Sequence, residues 1–263
     1  MTIPLFHVDA FTDQPFAGNP AAVCILTGQR PDAWMQQIGA EMNLSETAFV
    51  QRQDDGFRLR WFTPKVEVDL CGHATLASAH ILWEEGHAQA DETIRFHTRS
   101  GVLTASRNAG IIELDFPLIA EEPATLPAGL VEALGVQPRY VGKGRFDYLL
   151  EVESEEALRG LAPNFRQLAT LPVRGLIVTS RSARSEFDFV SRFFAPGAGI
   201  DEDPVTGSAH CCLAAYWRKQ LHQDSFVAYQ ASARGGVVRV RVQGDRAILG
   251  GQAVTVSKGV LVA

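Results

Sequence analysis

The chain has 263 residues, 46% of them hydrophobic and 21% charged, which is enough apolar mass for two domains or one large one. Its net charge of -6 gives no electrostatic reason to expect nucleic acid or an anionic membrane as a partner. The four cysteines, Cys24, Cys71, Cys211 and Cys212, show neither metal-ligand spacing nor a secreted disulfide framework, so thiols in a reducing cytoplasm are expected.

Residues 3–11 alternate as a strand, without the basic leader of a signal peptide or the long apolar run of a membrane span. Residues 12–20 are a loop of turn formers ending in Gly18, Asn19 and Pro20; on its own Asn19 reads as a turn residue. An apolar strand at 21–26 precedes a helix opened by Pro31, in which Trp34, Met35, Ile38 and Met42 recur at helical spacing up to Asn43. Residues 44–50 read as a buried strand interrupted by one carboxylate, Glu46. Burial disfavours its ionised form, which predicts a raised pKa and a group able to serve as acid and base; a salt-bridged or outward-facing Glu46 is the alternative.

Residues 57–62 form a strand that delivers the chain into Arg60 to His80, a stretch echoed by Arg192 to His210. At an offset of 132, Arg60 matches Arg192, Phe62 matches Phe194, Pro64 matches Pro196 and Asp69 matches Asp201; a one-residue slip then pairs Thr75 with Thr206. Each copy runs from an apolar strand through a turn with carboxylates into an alanine-rich helix. Two similar halves facing each other are expected, with two helix N-termini aimed at one cleft where unpaired N–H groups and positive dipole ends attract anions. His73, at the first helix start, is near a positive dipole end that favours its neutral form.

Short strands follow at 93–97, 102–106 and 111–116, and the proline-containing segment 117–127 reads as the linker between halves 1–117 and 118–263, with the last strand able to pack back on the first half. The second half reads as helices at 127–134, 154–158, 164–169 and 207–220, and strands at 140–141, 147–152, 175–179, 187–194, 226–230, 237–242, 246–250 and 253–262. Asp203 precedes Pro204, which favours an extended residue there, and Thr206, Gly207 and Ser208 offer a helix start able to hold a carboxylate or simply to cap itself. Glu46, His73 and Asp203 are thus three titratable groups at the ends of elements.

Leu44 to Thr47, Cys71 to Thr75 and Asp201 to Ala209, with Val8 to Phe11 and Gly18 to Pro20, resemble the signature stretches of the phenazine biosynthesis PhzF-like family over essentially the whole chain. The resemblance implies the α+β diaminopimelate epimerase-like fold, with two similar halves, each a curved, mostly antiparallel sheet around a central helix, and the active site in the cleft between them. It further implies a homodimeric isomerase without cofactor or metal that moves a proton between carbons of a small carboxylate-bearing substrate. Carried over by motif, Glu46 is the general acid/base, His73 and Asp203 assist it, and Asn19, Gly72, Gly207 and Ser208 bind substrate.

One departure bears on mechanism. The resemblance implies two cysteines facing each other in the epimerase branch of this fold; Cys71 stands at the first position and, with Thr206 and Gly207 aligned to that branch's Thr-Gly, Pro204 stands at the second. The phenazine enzyme resembles this chain but has Ala at the first position. An amino-acid racemase using Cys71 with Glu46 or Asp203, and a non-catalytic metabolite-binding protein, are the alternatives.

Overall fold

Alternating inward side chains start the chain as a strand, and a computed structural model describes residues 2–262. The structure divides into two units, one of Met1–Asp115 with Gly250–Ala263, the other of Phe116–Leu249.

In the first unit β1 (Ile3–Ala10) buries Phe6, Val8 and Ala10 and ends where Phe11 turns to a φ of 63°. β2 (Asn19–Leu26) pairs antiparallel with β1, whose other edge takes the C-terminal strand Ala253–Leu261, also antiparallel. Helix α1 (Asp32–Met42) starts after Pro31, whose φ of -62° suits a helix start, and stops at Asn43 in the left-handed region. It crosses over to β3 (Glu46–Gln53), parallel to β2. The predicted strand began two residues earlier; the left-handed Asn43 delays it, so Glu46 is its first residue.

β4 (Gly56–Phe62) returns antiparallel to β3, and the two-residue β5 (Glu67–Val68) pairs with its end. Helix α2 (Gly72–Glu84) then crosses to β6 (Ile94–Thr98), parallel to β4, and β7 (Gly101–Asn108) and β8 (Ile111–Pro117) complete a meander. Helix α2 is buried at every position from His73 to Ala79 and again from Ile81 to Trp83. Such an all-round apolar helix belongs inside a unit rather than on its surface. A second cluster, Phe49 and Phe62 with Met35, Ile38 and Cys24, seats α1 on its strands.

The second unit repeats this plan. It contains β9 (Glu122–Pro123), α3 (Leu130–Leu134), β10 (Tyr140–Lys143), β11 (Tyr148–Glu151), α4 (Glu155–Arg159), α5 (Phe165–Leu168), β12 (Leu176–Arg181), β13 (Phe189–Phe194), α6 (Gly207–Leu221), β14 (Ser225–Gln230), β15 (Gly236–Gln243) and β16 (Arg246–Gly251). Going outward from β10, successive pairs are antiparallel, parallel, antiparallel, parallel, antiparallel, ending at β15. From β1 through β2, β3, β4 and β6 to β7 the order of pair types is the same, with α2 and α6 at the same crossover.

Counted from the helix caps the two copies align at another register than the sequence suggested. Cys71 caps α2 and Thr206 caps α6, an offset of 135 in place of 131, because the second copy inserts a 3-10 turn at Pro196–Ala198, closed by the bridge between Ala195 and Ile200. Thr206 therefore corresponds to Cys71 in the repeat, not to Thr75. The fourth residue after each cap bonds back to the cap carbonyl, Thr75 Oγ1 to Cys71 O at 2.6 Å and His210 Nδ1 to Thr206 O at 2.8 Å.

Two short pairings escaped the sequence reading, β5 and β9, the latter inside the expected linker. The helix expected from residue 127 begins at Leu130, after Gly129 at a φ of 80°.

Candidate active site

In the first unit β2, β3 and the start of α2 bring four side chains together. Asn19 opens β2 and is fully buried; Glu46 opens β3 beside Ala21, two residues farther along β2. Cys71 is the cap of α2, in extended conformation, and Gly72 and His73 are its first helical residues.

The imidazole of His73 is the hub. Its Nε2 lies 3.3 Å from Glu46 Oε2, its Nδ1 lies 3.2 Å from the Asn19 amide nitrogen, and the same Nδ1 is 3.5 Å from Cys71 Sγ. An amide N–H donates, so Nδ1 accepts and the ring proton of the neutral form sits on Nε2, facing Glu46. Burial pushes His73 down to about 3, so the ring is neutral at ordinary pH. The sequence led to the same neutral form through the helix dipole; desolvation is the cause seen in the structure. The carboxylate of Glu46 keeps 14% of its side chain exposed while His73 keeps 5%, so Glu46 is the member of the pair that a small molecule can reach.

In the second unit the segment before α6 is tied down as firmly. Asp203 is buried, its backbone N–H donates to Phe193 O at 3.0 Å and its Oδ2 accepts from Thr206 Oγ1. Gln230, at the end of β14, accepts from Thr206 N at 2.8 Å and donates to Asp203 O at 2.7 Å. Just upstream, Arg192 grips both oxygens of Glu202 at 2.7 and 2.8 Å. Gly207 and Ser208 are the first two residues of α6, and neither α6 nor α2 has a side chain from its cap bonded to its first turn. First-turn N–H groups left without a cap side chain are suited to an anionic ligand.

The structure thus places Asn19, Glu46 and His73 in one cluster with Cys71, Gly72 beside it, and Asp203, Gly207 and Ser208 around the start of α6. Gln230 lies outside the motifs that single out the other site residues. Its signal was available: Phe226, Ala228 and Gln230 alternate inward on β14, and a polar side chain on the buried face must find partners.

The family model described as "Phenazine biosynthesis-like protein" matches residues 8–259. A protein of Halalkalibacterium halodurans named an uncharacterized isomerase is 57% identical over 264 residues, covering 99% of both chains. The crystal structure of a phenazine biosynthesis PhzF family protein from Enterococcus faecalis superposes with a TM-score of 0.95 at 42% identity and full coverage of both chains. A predicted epimerase from Pseudomonas aeruginosa, 23% identical with a TM-score of 0.79 over 99% of each chain, shares the α+β epimerase-like fold.

Proposed function

The chain belongs to the phenazine biosynthesis-like family and is an isomerase of it, and from that premise we propose that it moves a proton between carbons of a small carboxylate-bearing metabolite, with Glu46 as acid and base and without a cofactor. The observation that carries this reading is the 3.3 Å contact between Glu46 Oε2 and a buried, neutral His73. A C–H bond of the substrate breaks, its proton passes to the Glu46 carboxylate and the electron pair spreads into the substrate's unsaturated frame. Glu46 then delivers a proton to a different carbon. His73 orients the carboxylate throughout, and Asn19 orients His73. The partly exposed Glu46 exchanges the carried proton with solvent between the two steps, so transfer in deuterated water leaves a label on the receiving carbon.

Asp203 assists the transfer in this proposal, and Gly72, Gly207 and Ser208 hold the substrate carboxylate through backbone N–H groups and the serine hydroxyl.

A second reading has one observation in its favour, the Cys71 thiol 3.5 Å from a neutral imidazole nitrogen that could take its proton. It makes the protein an amino-acid racemase working at an α-carbon.

Proton NMR in deuterated water of a panel of cyclic, unsaturated and amino-acid carboxylates decides between them. Deuterium uptake at a carbon other than the α-carbon, lost in Glu46→Gln and kept in Cys71→Ala, is the expected result. Exchange confined to the α-carbon and lost in Cys71→Ala establishes the racemase instead. Binding without exchange at any carbon overturns both.

A further inference from the structure

The cluster around His73 has the composition of a metal site as well as of an acid/base site. Glu46, Cys71 and His73 each offer one donor atom, and these lie within 4.8 Å of one another. A tetrahedral zinc ion, with bonds of about 2.3 Å to sulfur and about 2.0–2.1 Å to nitrogen and oxygen, sets its ligands roughly 3.3–3.6 Å apart. Two separations already have that size, His73 to Glu46 at 3.3 Å and His73 to Cys71 at 3.5 Å. They involve opposite ring nitrogens, so ligation by one of them draws the third side chain inward by a shift on the order of 1 Å.

A second observation points to a ligand. His73 Nε2 is buried and makes no hydrogen bond among the described residues, with Glu46 Oε2 3.3 Å away. A buried ring nitrogen in that state is costly unless something completes it. When Nε2 ligates, the proton moves to Nδ1, and the Asn19 amide, turned about, accepts it. That is the outer arrangement metal-bound imidazoles ordinarily have. The chain offers no other cluster of this kind among the described residues.

We propose that Glu46, Cys71 and His73 form a site for a thiophilic divalent cation, Zn2+ by its fit to one thiolate, one imidazole and one carboxylate with a fourth position open. Binding converts the Cys71 thiol to a thiolate, releasing one proton to solvent, and takes the Glu46 carboxylate as a ligand. Zinc is therefore an inhibitor here, because a carboxylate held on the metal cannot accept a substrate proton. Only this inhibitory consequence rests on the function proposed above.

The test uses Co2+ as a spectroscopic stand-in for Zn2+ on the whole protein and needs no turnover. A 1:1 complex is expected to show a thiolate-to-cobalt charge-transfer band in the near ultraviolet and tetrahedral bands in the visible, both erased by added Zn2+. Cys71→Ser loses the charge-transfer band, and Glu46→Gln and His73→Asn weaken binding by about tenfold or more. Circular dichroism of each variant reports folding. Should Cys71→Ser misfold, the other two variants and the wild-type band still decide. No cobalt spectrum in the wild type, or a charge-transfer band that survives Cys71→Ser, overturns the site. A sound cobalt site in a protein that shows no exchange on any carboxylate leaves the site standing and removes only the inhibitory consequence.

Discussion

Nε2 of His73 lies 3.3 Å from Oε2 of Glu46, and the two residues reach that distance from the first position of a strand and the second of a helix. Both are fixed by backbone hydrogen bonding, so the pair is set before any substrate arrives. Glu46→Gln keeps the shape and removes the base, and turnover is expected to fall by about 10²–10⁴. His73→Asn should cost less, because it removes the orienting contact and not the proton acceptor. Steady-state kinetics on the substrate found by NMR check both; a His73→Asn variant worse than Glu46→Gln would reverse the roles.

Acid stability follows from the same ring and from a second buried imidazole, His210, in the second unit. Burial holds His73 at about 3 and His210 at about 4, both below their ordinary 6.5. Between those values and 6.5 the unfolded chain binds protons that the folded chain does not, so stability is full above pH 6.5 and drains away as pH falls. Each histidine contributes a slope of at most about 1.4 kcal/mol per pH unit. Urea midpoints measured from pH 7.5 downward should decline, and His73→Asn with His210→Gln should flatten the decline. An unchanged slope in the double variant would count against the buried neutral state.

Gly18 holds Asn19 in place. Its φ is 65°, and a Cβ there would sit 2.2 Å from Ala10 O and 2.8 Å from Thr12 Cγ2. Gly18→Ala is therefore expected to destabilise by more than about 1 kcal/mol and to pull the neighbouring Asn19 off His73, lowering activity beyond the stability loss. Gly28, with nothing within 4 Å of its would-be Cβ and no positive φ, is the control. Gly28→Ala should be neutral or mildly stabilising. Equal behaviour of the two variants in melts and assays would refute the argument.

Arg60 offers a contrast within one side chain. It is 8% exposed and grips Glu67 with Nε at 2.7 Å and Nη2 at 2.6 Å, while its Nη1 reaches Asp32, which is 71% exposed. Losing a buried partner costs far more than losing a solvated one. Arg60→Ala should cost about 3 kcal/mol, the low end for a buried pair, because Arg99 still meets Glu67 at 2.6 Å. Asp32→Ala should cost distinctly less than Arg60→Ala, because its carboxylate is solvated and screened. Denaturation of the two variants, read against wild type, tests the ordering.

Much of this architecture was legible because hydrophobic periodicity and turn residues act locally. The strand ending in Phe62 and the one ending in Phe194 keep the offset of 132 seen in the sequence, and both carry the arginine that binds a nearby glutamate. Beyond them the offset grows to 135 at the helix caps. The 3-10 turn at Pro196–Ala198 lengthens the second copy, and an insertion inside a turn leaves no periodic trace. The short strands β5 and β9 have two residues each, too few for alternation to show. At the site, Glu46 stood out because a carboxylate in an apolar run conflicts with its neighbours. Gln230 did not, because its role depends on a partner segment 24 and 27 residues away, at Thr206 and Asp203.

Gln230 is expected to be a positioning residue for Asp203. It is fully buried, its Oε1 accepts from Thr206 N at 2.8 Å, and its Nε2 donates to Asp203 O at 2.7 Å and to Thr206 Oγ1 at 3.2 Å. Gln230→Leu keeps the bulk but leaves the N–H of Thr206 and the carbonyl of Asp203 without these partners, at roughly 1–3 kcal/mol for each group left unsatisfied. A brace of this kind also sets where the Asp203 carboxylate sits, and a displacement of about 1 Å near the chemistry can cost about 10² in rate. The variant should therefore lose kcat with KM little changed. Combined with Asp203→Asn, it should lose less than the product of the two single effects, because both act through one carboxylate. If Gln230→Leu lowers the melting temperature yet keeps kcat, the glutamine is a structural tie alone. The independence of the two losses in the double variant would lead to the same conclusion.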